Sequence, residues 1–283
     1  MSSRLASHGR LGIAKSGLVR RSSPAIALLA LFGALTLPAQ EPAEPMPCDD
    51  DRRGWRPGRP GVCEIREITL PAGALAVDGG PNGGITVAGS DRSDILVRAR
   101  VMAWAADEQA ARDLARRVEI LTDGTVRAEG PASDRRESWA VSYEVLTPRS
   151  TDLGLETSNG GMAITDVQGD IEFTTVNGGV RLDGLGGNVR GRTTNGGLNI
   201  RLTGDTWQGE GMDIQVTNGG VRMQVPESYS AQLEAGTVNG GVSIDFPVTA
   251  QRRIGRDVST TLGEGGPPLR IKTVNGGVRV ESY

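Results

Sequence analysis

The chain has 283 residues, enough for one large domain or two small ones, with 31 basic and 34 acidic residues and one histidine, His8. His8 lies in the first 39 residues, which read as an export signal, so the expected mature chain has no imidazole; that excludes Ser-His-Asp and Cys-His catalysis and zinc sites built on histidine. Losing the signal's five basic residues leaves 26 basic against 34 acidic residues, a net charge of −8, which argues against nucleic acid or anionic lipid as a partner.

The signal begins with Arg4, Arg10, Lys15, Arg20 and Arg21 and continues into the apolar run "PAIALLALFGALTLPA", with cleavage expected near Ala39. That run is short for a membrane span, so no transmembrane segment is expected in the mature chain. Residues 40–63 form a linker rich in Pro and charge. Its Cys48 pairs naturally with Cys63 as a disulfide in an exported protein, two free thiols being the alternative.

From Glu64 the chain is strand-like, in "CEIREITL", "ALAVDG", "GITVAG" and "DILVRARVMAW". The segment 106–120 then switches to a helical period. Ala110, Leu114 and Val118 make its apolar face, and Asp107, Glu108, Arg112, Asp113, Arg116 and Arg117 its polar one. "GTVRAEG" and "SWAVSYEVLTP" return to strand.

Beyond Leu153 one phrase recurs: Asn-Gly-Gly followed by an alternating apolar run. Its asparagines are Asn159, Asn177, Asn195, Asn218, Asn239 and Asn275, at gaps of 18, 18, 23, 21 and 36, with an outlier at Asn82. The last gap is close to two 18-residue units, as if one copy had lost its Asn. Three and five residues after each Asn the positions are wholly apolar, as in Val180 and Leu182. The position between is mostly polar, as in Arg181. This is period-two alternation with one buried face. Two before Asn stands a β-branched column: Thr157, Thr175, Thr193, Val216, Thr237 and Thr273.

Asn-Gly is a hairpin signal, so a meander or sandwich is one reading. The repetition favours another, a parallel β-solenoid in which each turn joins one sheet to the opposite sheet and equivalent residues stack about 4.8 Å apart. Identical Asn side chains gain from such stacking. Both glycines are expected to supply unusual backbone angles and room for the next turn. The thin interior suits a mature chain whose only phenylalanines are Phe173 and Phe246. The helix is expected to protect the N-terminal end against edge pairing.

Asp166, Asp183 and Asp245 are the carboxylates a glycan-cleaving β-helix enzyme would need, but each sits where a second turn begins, and Asp is a common turn former. Calcium-binding "GGxGxD" repeats are absent from the sequence. Arg181, Arg222 and Arg279 share one outward column, interrupted by Asn199 and Ser243, and could contact an anionic ligand. Trp207, in "GDTWQGEG", reads either as a sugar-stacking platform or as a cover over the sheet edge.

The order of an "EQAARDLARRVEI" helix, "SWAVSYEVLTP", serial "T-x-NGG-V" units, "VPESYSAQLEAGTVNG" and "LGEGG…LRIKTVNGGVRV" resembles the bacterial putative-adhesin family, a domain of unknown function. The resemblance covers residues 64–283. It implies a parallel β-solenoid and an envelope or surface location, and it carries no catalytic residues. The expectation is therefore an exported, non-enzymatic interaction module with no cofactor or metal, in the periplasm, at the cell surface or outside the cell. Its partner would be a surface glycan or an envelope protein. The alternatives are a carbohydrate-active enzyme and an accessory protein of envelope-stress signalling.

Overall fold

The computed structural model describes Cys48 and residues 60–246, 248–254 and 256–283, with backbone only for 248–254. The expected signal, and the linker apart from Cys48 and residues 60–63, lie outside the described residues. Cys48 and Cys63 are disulfide-bonded, with Cα atoms 5.7 Å apart.

Among the described residues the chain is all-β with one helix. Its first strands are β1 (Gly61–Pro71), β2 (Leu75–Asp78), β3 (Ile85–Ser90) and β4 (Asp94–Trp104), followed by helix α1 (Glu108–Arg116). Next come β5 (Glu119–Leu121), β6 (Thr125–Glu129), β7 (Ser138–Pro148), β8 (Leu153–Asn159), β9 (Met162–Thr165), β10 (Gln168–Asn177) and β11 (Val180–Asp183). The series continues with β12 (Gly186–Asn195), β13 (Leu198–Arg201), β14 (Gly211–Asn218), β15 (Val221–Val225) and β16 (Ala231–Asn239). It ends with β17 (Val242–Asp245), β18 (Val248–Ile254), β19 (Asp257–Leu262), β20 (Pro268–Asn275) and β21 (Val278–Ser282).

These strands form two sheets. One, sheet A, runs β1-β4-β7-β3-β9-β11-β13-β15-β21-β17; the other, sheet B, runs β18-β19-β16-β20-β14-β12-β10-β8-β2-β6-β5. Each Asn-Gly-Gly turn carries the chain from a sheet B strand to a sheet A strand, and such a pair is called a rung below. Neighbouring rungs pair in parallel and in register, as Val180 with Leu198 and Asn177 with Asn195. Antiparallel strands occupy the flanks: β1, β4 and β7 on sheet A, and β5 against β6 and β18 against β19 on sheet B.

The alternation read in the sequence fills the space between the sheets. Ile85, Met162, Val180, Leu198, Val221 and Val278 are all buried, as are Val87, Ile164, Leu182, Ile200, Met223 and Val280. Each such side chain contributes about 1.5–3 kcal/mol through loss of apolar surface to water. Phe173 finds room for its ring because Gly191 stands opposite it on the next strand; a Cβ there would overlap the ring.

The helix is shorter than its amphipathic pattern suggests. It stops at Arg116 because Glu119–Leu121 leaves to pair with β6. Asp107 caps its first turn, accepting the Ala110 N–H at 2.8 Å. Arg66 on β1 serves the other end, donating to the Ala115 carbonyl at 2.7 Å and to that of Val118. Leu114, Ala115 and Val118 join the common core.

The rung order corrects the sequence reading of the 36-residue gap. No copy has lost its Asn. The chain lays down the Asn239 rung (β16 and β17), makes the antiparallel β18–β19 pair, and returns to place β20 and β21 between the Asn218 and Asn239 rungs. The outward charges on sheet B fit that order. Registers align Glu172, Arg190, Asp213, Arg270 and Glu234 in one file of alternating sign. In chain order Asp213 and Glu234 would be neighbours; the inserted Arg270 separates them and bonds Glu234 at 3.2 Å. Like charges placed directly opposite are destabilising, and opposite ones contribute about 0.2–1 kcal/mol per pair.

Candidate ligand-binding face

The turn column is a file of amide hydrogen bonds. Asn177 donates to Asn159 at 2.7 Å, Asn195 to Asn177 at 2.8 Å, Asn218 to Asn195 at 2.9 Å, Asn275 to Asn218 at 2.7 Å and Asn239 to Asn275 at 2.8 Å. At the other end Asn159 donates to the Pro81 carbonyl at 2.6 Å and not to Asn82, because the first turn holds one residue more. Behind the amides, Thr157, Thr237 and Thr273 donate to glycine carbonyls of the adjacent rung, at 2.6, 2.8 and 2.9 Å. The Thr175 and Thr193 hydroxyls are buried without a partner.

The two glycines of each turn do different work. A Cβ on Gly178, Gly196, Gly219, Gly240 or Gly276 would overlap the first-glycine carbonyl of the neighbouring rung, so stacking demands glycine there. The second glycines Gly161, Gly179 and Gly197 are exposed and have ordinary room, a Cβ standing 3.6, 3.7 and 3.8 Å from its nearest neighbour, whereas Gly84, half-buried, and Gly277 are tighter at 3.2 and 3.3 Å. Nor do Gly160, Gly161, Gly178 and Gly179 adopt positive φ. The expectation that both glycines serve unusual backbone angles is thus corrected for these turns, Gly276 at φ 158° being the exception.

The second glycines therefore leave a bare strip along the outer face of sheet A. Next to it runs the outward column Thr86, Ala163, Arg181, Asn199, Arg222, Arg279 and Ser243. The inserted rung makes Arg222 and Arg279 direct neighbours and moves Ser243 to the end. Both arginines reach Glu281, at 3.6 and 3.4 Å, so their charge is partly matched within the protein. On the adjoining column Arg201 lies over the Tyr283 ring, 4.6 Å from its centroid, and the Tyr283 hydroxyl donates to the Leu202 carbonyl at 2.7 Å.

At the β7 end the strip deepens into a groove of about 420 Å³. Gly84, Gly161 and Gly179 form its floor. Thr86, Ala163, Arg181 and Asn199 form one side, and Ser142 and Arg100 one end. Ser142 accepts the Gly84 N–H at 3.2 Å, which fixes the hydroxyl while leaving its proton to donate. The Nε of Arg100 is buried without a partner, and among the described residues neither Arg100 nor Arg181 makes an ion pair. One column further along β4, Arg98 is committed instead: its hydrogen bond to Glu67 raises its pKa, with Glu144 acting in the same sense against the cost of burial. Tyr143 faces the core, and burial pushes its phenol well above the ordinary value.

The sequence singled out Arg181, Arg222 and Arg279, and only Arg181 lines the groove. Arg100 and Ser142 were missed, since neither belongs to a repeat. Trp207 is no platform: it is buried, and its indole N–H donates to the Gly187 carbonyl at 2.9 Å, so it covers the core beside the β13–β14 connection. Asp166 has φ 54°, the left-handed turn conformation that Asp tolerates, and lies 3.6 Å from Arg149. Asp183 and Asp245 occupy β11 and β17, with β13, β15 and β21 between them. Among the described residues no group of three or more His, Cys, Asp or Glu could hold a metal ion.

Residues 144–281 match the Toastrack DUF4097 family model. That segment starts within β7 and runs through every regular rung; α1, β4 and Arg100 precede it. The Toastrack match supports a domain family of unknown function. The chain is also similar to a putative cell adhesion protein from Clostridium sporogenes, at 12% identity over 79% of this chain and 100% of that one, with TM-score 0.42. A putative adhesin from Bacteroides fragilis is 10% identical over 78% and 97%, with TM-score 0.34. A protein from Parabacteroides distasonis described as a putative lipid binding protein is 12% identical over 78% and 96%, with TM-score 0.31. No curated protein matches. Among the described residues no helix is long and apolar enough to cross a membrane.

Proposed function

We propose that this chain is an exported, non-enzymatic interaction module of the cell envelope, a parallel β-solenoid that binds a surface glycan or an envelope protein in adhesion. The observation that carries the reading is the outer face of sheet A. Stacked rungs hold a bare glycine strip beside outward arginines on a rigid parallel ladder, a surface suited to contact. Three strands separate Asp245 from Asp183, and Asp166, the carboxylate on the turn beside Asp183, is ion-paired with Arg149 at 3.6 Å, an arrangement that supports binding over cleavage by a pair of free carboxyl groups. The Toastrack match to residues 144–281 is compatible with this role, and export rests on the signal pattern of residues 1–39. The Cys48–Cys63 disulfide suits an oxidising compartment.

A pull-down from intact cells, run with a glycan array and a product assay, tests the proposal. Retention of a glycan or envelope protein without turnover is the expected outcome. Turnover of a bound glycan that is lost in Asp183→Asn would overturn it.

A further inference from the structure

We infer that the groove at the β7 end of sheet A is a binding site for an extended acidic oligosaccharide whose sugars carry carboxylates. This rests on the interaction-module reading and names its ligand class.

The floor gives the first reason. First-position glycines are demanded by the rung stacked against them, but Gly161 and Gly179 have ordinary room for a Cβ and no positive φ. Packing therefore does not explain why a side chain is missing there. What its absence produces is an open, flat floor on which a ligand can approach the backbone.

The polar groups give the second. Arg100 and Arg181 are the cations of the groove, with no ion pair among the described residues, and the Arg100 Nε is buried and unpartnered. The Nε itself is covered by protein, but the half-buried Arg100 side chain lines the groove, and its remaining N–H groups are the ones a ligand oxygen can meet. Guanidinium forks pair well with carboxylates. Arg100 stands on β4 and Arg181 on β11, four strand steps apart in sheet A, roughly 19 Å between backbones. A single compact anion cannot occupy both, whereas a chain with spaced charges can. Between them lie two neutral hydrogen-bonding groups, Ser142 on β7 and Thr86 on β3, and Asn199 on β13 stands just beyond Arg181. The site thus offers more partners for hydroxyls than for charges, the ratio found in a uronic acid oligosaccharide. The excess of acid over base in the chain opposes ligands of denser charge, such as polyphosphates or anionic bilayers.

The test is titration calorimetry of the full-length chain with an oligogalacturonate, with its methyl ester, and with a phosphorylated oligosaccharide of equal length. The oligogalacturonate should bind and weaken as salt rises, and the methyl ester should bind at least tenfold more weakly. Arg100→Gln and Arg181→Gln should each lower affinity about tenfold. Gly161→Ala/Gly179→Ala should lower it comparably with an unchanged melting temperature. Arg192→Gln, on β12 of the other sheet, should have no effect. Absence of oligogalacturonate binding, equal binding of the methyl ester, indifference to both groove arginines, or a preference for the phosphorylated chain would each overturn the assignment. If intact-cell pull-down still retains a partner in Arg100→Gln/Arg181→Gln, the groove assignment fails while the interaction module stands. If wild-type protein retains nothing, the broader reading fails.

Discussion

Rungs β8 to β15 and rungs β16 to β21 share one turn and one alternation, yet they are assembled differently. In the first group each rung stacks on its predecessor, and amide partners lie 18 or 23 residues apart. In the second the last rung enters between two earlier ones, and Asn275 reaches partners 57 and 36 residues away. The turn specifies how a rung is made without specifying where it goes. The position is decided by what each rung meets on both faces, and the Asp213–Arg270–Glu234 file is one such term.

The largest effect should come from a charge placed between the sheets. Val180→Asp and Val278→Asp each bury an unpaired carboxylate, with an expected cost of roughly 4 kcal/mol or more. If the inserted rung is as integral as the sequential ones, both variants should lose the cooperative thermal transition. A native melt for Val278→Asp would mean that β20 and β21 are dispensable.

Gly178→Ala and Gly276→Ala come next. Each drives a Cβ into the carbonyl of the neighbouring rung, so about 1–3 kcal/mol should be lost in denaturant titration. Gly179→Ala should fall within about 0.5 kcal/mol of wild type. Equal losses at Gly178 and Gly179 would erase the distinction between the two glycine columns.

Asn177→Ala breaks both amide bonds of an interior position, whereas Asn239→Ala removes only the last donor of the file. Expected losses are about 0.5–1.5 kcal/mol for each exposed bond, with Asn177 costing more. A larger effect at Asn239 would contradict the stacking order. The smallest change is Arg270→Glu. It puts three acids in a row and should cost a few tenths to about 1 kcal/mol at low salt, shrinking as salt is added. Stability that does not change with salt would remove charge from the account of rung order.

Much of this was legible from residues alone. The inward columns through Val180 and Leu182, the outward column through Arg181 and the stacked amides all follow from a period of two inside a longer repeat, because an alternating strand buried on one face leaves little choice of register. The helix was legible but two residues too long at its start and four at its end, since the demand of β6 for a partner at Glu119–Leu121 is not local. The groove was half legible. Arg181 sits in the repeat; Arg100 and Ser142 join it only because β4 and β7 continue sheet A, a pairing without a repeat to announce it.

By itself, then, the sequence determined the unit: one Asn-Gly-Gly turn, two short strands, one apolar face. Those are short-range consequences of backbone geometry and side-chain alternation, and every copy carries them. Only the tertiary structure decided the order of the units, the adjacency of Arg222 and Arg279, the burial of Trp207 and the placing of Arg100 and Arg181 along one groove. Identical rungs are interchangeable to local forces, and long-range packing and charge choose among the arrangements they allow.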